Sequence, residues 1–288
     1  QVKISEKIDK KDQYIKGPEK FPLADGRWGF LPLQVNLFLQ DINSECKTNK
    51  FTIAPNSTCI LRLGVENSEK QSFIACIATI LFYGVYDNNS KQPKIKNFYP
   101  NSKSMVPSIS EMKELLINSI SKEKFSSYQN ADLINIFGKN DNYKSYNEKL
   151  DSSFSNFKNF LLDDEIIIDY TYLWDIICLP NPNLFPNGIN MIILDVINND
   201  TTNNVELICP TNVYSATKYD SQKGNIIIIK QGNYYEPIFS YKNEEKRIQV
   251  SQIFKENEKN LSNSLKLVFQ NIIKPIMNEK CKPVNNLP

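Results

Sequence analysis

Residues Phe73-Ile74-Ala75-Cys76-Ile77-Ala78-Thr79-Ile80-Leu81-Phe82 are apolar on every side of a helical wheel, so a helix over them has no face to offer water. It has to lie inside a protein. The spacing predicts that this helix begins near Ser72 and ends at Gly84, and that Thr58 to Glu66, which alternates Cys59, Leu61 and Leu63 with other residues, forms a strand just before it. Something must cover the helix on all sides. The C-terminal half supplies it: Ile189 to Val196, Val205 to Cys209, Asn225 to Lys230 and Tyr235 to Tyr241 are short β-branched or aromatic runs separated by Asn, Asp, Gly and Pro clusters. A buried helix followed by consecutive strands describes an α+β domain. With 288 residues, 41% of them hydrophobic, the chain can bury one large core.

The remaining segments fill in around that plan. Residues 1 to 20, lysine-rich and ending in Gly17-Pro18-Glu19-Lys20, read as an arm or linker that gains order only by docking. Phe21 to Gln40 is too punctuated for a long helix and too apolar for open solvent, so an extended clasp is expected. Ser108 and Glu111 have capping-box spacing before Met112, Leu115, Leu116 and Ile120. Phe125 to Phe137 predicts a shorter helix closed by Gly138, Asn140 to Ser155 a loop or solvated helix, and Glu165 to Leu179 a helix stopped by Pro180. Leu261, Leu265, Val268, Phe269, Ile272 and Ile276 recur at helical intervals, defining an amphipathic helix that Pro275 should kink or end. The expected division is an arm over 1–20, one α+β domain over 21–255, and a C-terminal amphipathic helix with an exit tail over 256–288. A start at Gln1 instead of Met fits a fragment of a longer polypeptide or a processed product.

Chemistry is constrained by a zero. The chain has no histidine, so Ser-His and Cys-His pairs, His-ligated zinc and histidine pH switches cannot be built within it. A net charge of +2 argues against a partner that demands many phosphate contacts, and nine glycines include neither a Walker pattern nor GxGxxG. No cofactor or metal is implied, and nucleic acid is an unlikely partner. Six cysteines at 46, 59, 76, 178, 209 and 281 lack CxxC spacing, and buried free thiols in a reducing compartment are the simplest reading. Sequons begin at Asn56, Asn88, Asn199 and Asn260, as chance alone would produce in an asparagine-rich chain. No apolar stretch approaches the roughly 18 residues that span a bilayer, so no membrane is expected. Asp195 and Glu206 invite a metal-nuclease reading, but Ile208 stands where such a site needs lysine.

Two strings bear a family likeness. Gln71-Ser72-Phe73-Ile74-Ala75-Cys76-Ile77-Ala78 resembles the nucleophile helix of OTU-type deubiquitinating peptidases, a papain-like group, with Ser72 on the cysteine position. Ile226-Ile227-Ile228-Ile229-Lys230-Gln231-Gly232-Asn233-Tyr234-Tyr235-Glu236-Pro237-Ile238 is similar to the terminal hairpin of the same group, with Tyr234 on the histidine position and Tyr235 on the aromatic that follows it. The resemblance implies a papain-like fold with a central buried helix packed on an antiparallel or mixed sheet. It also implies a pseudo-peptidase, since both positions that define activity have changed. Tyrosine, with an ordinary pKa of about 10, is a poor base near neutrality. A serine activated by Lys230 is chemically conceivable, but a strand lysine among isoleucines ordinarily extends its amine to water.

Bland readings stand beside each site. Ser72 suits a helix N-cap and Cys76 a small core residue, whereas Tyr234, Tyr235 and Glu236 form either a packed strand start or an exposed recognition surface. The strings Cys59 to Ala78, Tyr172 to Pro210 and Asn225 to Ile238 also resemble a conserved protein of large nucleocytoplasmic DNA viruses. That resemblance implies a viral protein of the host cytoplasm or the virion. The expected function is a non-catalytic interaction or structural domain that meets a viral or ubiquitin-like protein through a degenerate OTU-like cleft. The rival expectations are a hydrolase with an unconventional Ser or Cys centre, labelled by activity probes, and a transcription-apparatus module.

Overall fold

The computed structural model describes residues 14–49, 52–83, 106–138, 142–197, 204–210, 213–216, 219–244, 247–258 and 261–281. They form a mixed α+β fold around one seven-stranded sheet. Its strands are β1 (Trp28–Phe30), β2 (Thr58–Leu63), β3 (Ile189–Val196), β4 (Val205–Leu207), β5 (Gly224–Gln231), β6 (Tyr234–Glu244) and β7 (Arg247–Ser251). They run in the order β1-β2-β6-β5-β3-β4, with β7 also paired to β6. The β3–β5 pair is parallel and every other pairing is antiparallel.

Helices cover both faces of the central strands. On one face lie α2 (Ser72–Phe82), α3 (Ile109–Asn118), α4 (Lys122–Phe125), α5 (Asp132–Phe137), α6 (Tyr146–Leu162) and α7 (Trp174–Cys178). Met191, Ile193, Ile226 and Ile228 point into that layer. On the other face α1 (Leu33–Phe38) and α8 (Asn263–Val268) pack against Ile192, Leu194, Ile227 and Ile229. Burial on both sides is why β3 and β5 read as unbroken apolar runs instead of alternating ones. The hairpin between β5 and β6 turns on Gly232 and Asn233, with Gly232 at φ 61°, the conformation that favours glycine first in a two-residue loop.

The apolar helix is as central as its composition demands: Phe73, Ile74, Cys76, Ile77 and Ala78 are each fully buried. Gly84, expected to end it, lies outside the described residues, and α2 stops at Phe82. Elsewhere local expectations are corrected. Phe125 to Phe137 is not one helix, because Gln129, Asn130 and Ala131 take positive φ and break it between α4 and α5. Of the two alternatives over Asn140 to Ser155, loop or solvated helix, the helix forms: α6 runs 17 residues, past the expected end, and sets Ser153, Phe157 and Leu161 inward. The helix expected from Glu165 shrinks to α7, since Gln71 and Lys70 hold residues 163–168 as a loop. Pro275 does not end the C-terminal element. Turns of π type, Phe269–Ile273 and Ile276–Lys280, flank it, and Leu265, Phe269, Ile273 and Met277 keep facing the sheet.

The thiol expectation fails for four of six cysteines. Cys46–Cys59 and Cys209–Cys281 are disulfides, and only Cys76 and Cys178 are free and buried. The second bond, across 72 residues, ties the end of the C-terminal helical element to the chain just past β4. Of the N-terminal arm, residues 1–13 lie outside the description, while Ile15 is buried and Lys16 is bridged to Gly29 of β1.

Candidate functional site

The head of α2 meets the β5–β6 hairpin. Gln71, not Ser72, occupies the N-cap position, and neither side chain caps the helix. Gln71 instead donates through Nε2 to the carbonyls of Asp163 (2.7 Å) and Ile166 (3.2 Å). Ser72 is the first helical residue and reaches across to β6. Its hydroxyl donates to the Asn233 carbonyl (3.2 Å) and accepts from the Tyr235 amide (3.1 Å). The two resemblance strings are therefore in contact, with Ser72 bonded to the residues on either side of Tyr234. Ser72 is 2% exposed.

The three hairpin residues separate in role. Tyr234 is half-buried. Tyr235 is turned inward, edge-on to Phe73 with ring centroids 5.2 Å apart, and burial raises its phenol pKa far above the ordinary value. Glu236 is 1% exposed and binds Arg62, itself fully buried, at 2.6 Å. An exposed recognition surface made of all three residues is thereby corrected: alternation along β6, and the cover that α2 and the N-terminal segment provide, leave Tyr234 alone at the rim. Cys76, one turn into α2, is fully buried, and its thiol pKa is pushed up first by desolvation and then by the Glu236 carboxylate. It is a core residue and not a thiolate nucleophile.

A charged row crosses the sheet beside this contact. Glu206, Asp195, Lys230 and Tyr235 are register partners on β4, β3, β5 and β6 in turn. Lys230 Nζ lies 2.5 Å from Asp195 Oδ2, and both side chains are about one-fifth exposed (22% and 21%). Lys230 does not extend freely to water, since its amine is tied to the Asp195 carboxylate. That pairing turns the amine toward β3 and not toward Ser72, whose hydroxyl bonds Asn233 and Tyr235. Among the described residues no group of three His, Cys, Asp or Glu side chains is placed to hold a metal ion. Among the described residues no side chain is hydrogen-bonded to the Ser72 hydroxyl, whose partners are backbone groups of the hairpin. The hairpin and the head of α2 meet at a surface.

That surface has a fringe. The 163–168 loop is fastened by Gln71, by the Ile168 amide on the Lys70 carbonyl (2.9 Å), and by buried Lys113, whose amine reaches Asp163 O (3.1 Å) and Asp164 Oδ1 (2.7 Å). Leu162 (52%) and Ile167 (54%) remain exposed on it, beside exposed Asp163, Asp164 and Glu165.

Sequence reasoning missed Arg62. Its guanidinium donates to Phe30 O (2.8 Å), Gly17 O (3.3 Å), Lys20 O and Glu236, while Glu236 Oε1 accepts from the Leu23 amide. This pair fastens residues 17–30 over the sheet. An arginine inside an apolar strand pattern was the available signal, since such a charge is rarely buried unless paired.

No family model and no solved structure matches the chain. No helix among the described residues is long and apolar enough to cross a membrane. Over 265 residues the chain is 20% identical to an uncharacterized protein of Acanthamoeba polyphaga mimivirus, an alignment covering 86% of this chain and 14% of that protein. The chain is thus similar to a short stretch of a much longer giant-virus protein.

Proposed function

We propose that this chain is a non-catalytic interaction domain of a large-DNA-virus polypeptide, built on a degenerate papain-like, OTU-like plan. It works by presenting the surface around the head of α2. One observation carries the reading: the Ser72 hydroxyl, on the nucleophile position of the resemblance, is spent on hydrogen bonds to both neighbours of Tyr234. The chain has no imidazole, Lys230 is bound to Asp195, and among the described residues no side-chain base is hydrogen-bonded to that hydroxyl. These observations favour the interaction reading over the hydrolase one.

The partner is a protein. Tyr234, Leu162 and Ile167 supply apolar groups, and Asp163, Asp164 (paired with Lys113) and Glu165 (paired with Lys70) supply a polar fringe of mixed charge, the make-up of a protein-binding face. Co-encoded viral proteins are the first candidates, and ubiquitin, a protein of reducing compartments, is the comparison. Calorimetric titration of each against the full chain tests this, comparing the native protein with Tyr234→Ala plus Ile167→Ser. Both side chains are at least partly exposed, so an unchanged melting curve with binding weakened tenfold or more is expected. Equal binding by the two proteins would remove this surface from consideration, and covalent labelling of Ser72 by a ubiquitin-based or serine-directed probe would overturn the non-catalytic reading.

A further inference from the structure

The cysteine pairing and the first sequon acquire a joint meaning once they are placed in the fold. Asn56-Ser57-Thr58 sits on the turn that leads into β2, inside the loop closed by Cys46–Cys59. Ser57 tightens that turn, its amide and hydroxyl both donating to the Ala54 carbonyl (3.3 and 2.6 Å). Asn56 takes φ 58°, in the left-handed region that asparagine tolerates better than most residues. Both Asn56 and Thr58 are exposed, and within the described residues neither the Asn56 amide nor the Thr58 hydroxyl makes a hydrogen bond.

Buried asparagines here behave otherwise. Asn43, Asn181, Asn190 and Asn225 all hydrogen-bond through their side chains. The amide and the hydroxyl two residues on, which are the two groups a sequon presents, are thus both free in solvent at 56 and 58. Asn88, Asn199 and Asn260, which begin the other sequons, lie outside the described residues.

We infer that Asn56 is an N-glycan acceptor and that the chain matures in an oxidising lumen. The two lines of support are independent, because disulfides persist in the compartments where sequons are modified and are rare where glutathione keeps thiols reduced. A reducing compartment, expected when all six cysteines were read as free, loses its basis with four of them paired. The transfer needs a lipid-diphosphate-linked oligosaccharide. The Asn56 amide nitrogen bonds to the anomeric carbon of its first sugar while the bond from that carbon to the diphosphate oxygen breaks. The lipid diphosphate departs with the bonding pair, and one amide proton passes to a base of the transferring enzyme. The glycan projects from the end of β2, where a bulky group meets solvent.

The test begins with protein isolated from its natural source. The peptide carrying Asn56 is analysed by mass spectrometry before and after peptide N-glycosidase in heavy-oxygen water, and free thiols are counted by alkylation under denaturing, non-reducing conditions. Glycan on Asn56 and two alkylated residues, Cys76 and Cys178, are expected. In a secretory eukaryotic host the wild-type chain and Thr58→Ser should lose one glycan's mass at this site on enzyme treatment, whereas Asn56→Gln and Thr58→Ala should not. Thr58→Ala leaves the turn's asparagine in place, so a folding defect in Asn56→Gln cannot mimic the result. An unmodified Asn56 in the natural protein, or six alkylated cysteines, would overturn the inference.

Discussion

Arg62 and Glu236 stand 174 residues apart in the chain and 2.6 Å apart in the fold, with almost no solvent between them. A buried pair of this kind gains little over apolar replacements, but losing one partner strands the other charge, at a cost of about 3–5 kcal/mol. Arg62→Met should therefore lower the urea midpoint sharply, and Arg62→Met with Glu236→Met should recover much of the loss. A double variant no better than the single one would mean that the backbone contacts of the guanidinium matter more than its charge. Burial holds the Glu236 carboxyl above its ordinary pKa despite Arg62 and the Leu23 amide. Ser72 teaches the same lesson more quietly. Its place at the start of the apolar helix was legible, but whether its hydroxyl turns back to cap α2 or outward to β6 depends on a hairpin 161 residues later.

The helical elements divide by how local their signals are. The capping box of α3 was readable because both of its partners fall within four residues, and the structure forms it: the Ser108 hydroxyl accepts from the Glu111 amide and the Glu111 carboxylate accepts from the Ser108 amide. Ser108→Ala should cost about 1 kcal/mol. Denaturant unfolding of that variant checks it, and a loss below a few tenths would show the cap to be redundant with packing. The helix α6 is half legible, because its first turn is polar while Leu150, Phe154, Phe157 and Leu161 mark the apolar stripe that follows. The break between α4 and α5 carried no glycine or proline to announce it. The Asp175 carboxylate creates the need for it, accepting from the amides of Gln129 (2.6 Å), Ser215 (3.0 Å) and Ala216 (2.9 Å).

Across the whole molecule, burial of tyrosine sets the alkaline limit of stability. Desolvation pushes the phenols of Tyr128 and Tyr241 from 10.0 up to about 12, and those of Tyr214, Tyr219 and Tyr235 further up. A pKa raised by folding means that the folded state holds the proton better. The stability that Tyr128 and Tyr241 contribute is complete below about pH 10 and is lost as pH rises through about 12, and that of the other three is lost higher still. Far-UV circular dichroism and phenolate absorbance should consequently change together above pH 10, and buried phenolates appearing near 10 with the fold intact would contradict the packing of these rings. By itself the sequence determined that one helix must be enclosed, that a sheet of β-branched strands follows it, and that no imidazole chemistry is available. Those are properties of composition and short-range periodicity, which any single stretch of chain carries within itself. Only the tertiary structure decided which cysteines pair, which hydroxyl is spent and which charges are sheltered. Each of those outcomes depends on groups far apart in the chain, and a group's hydrogen bonds, charge and reactivity are fixed by what packs against it.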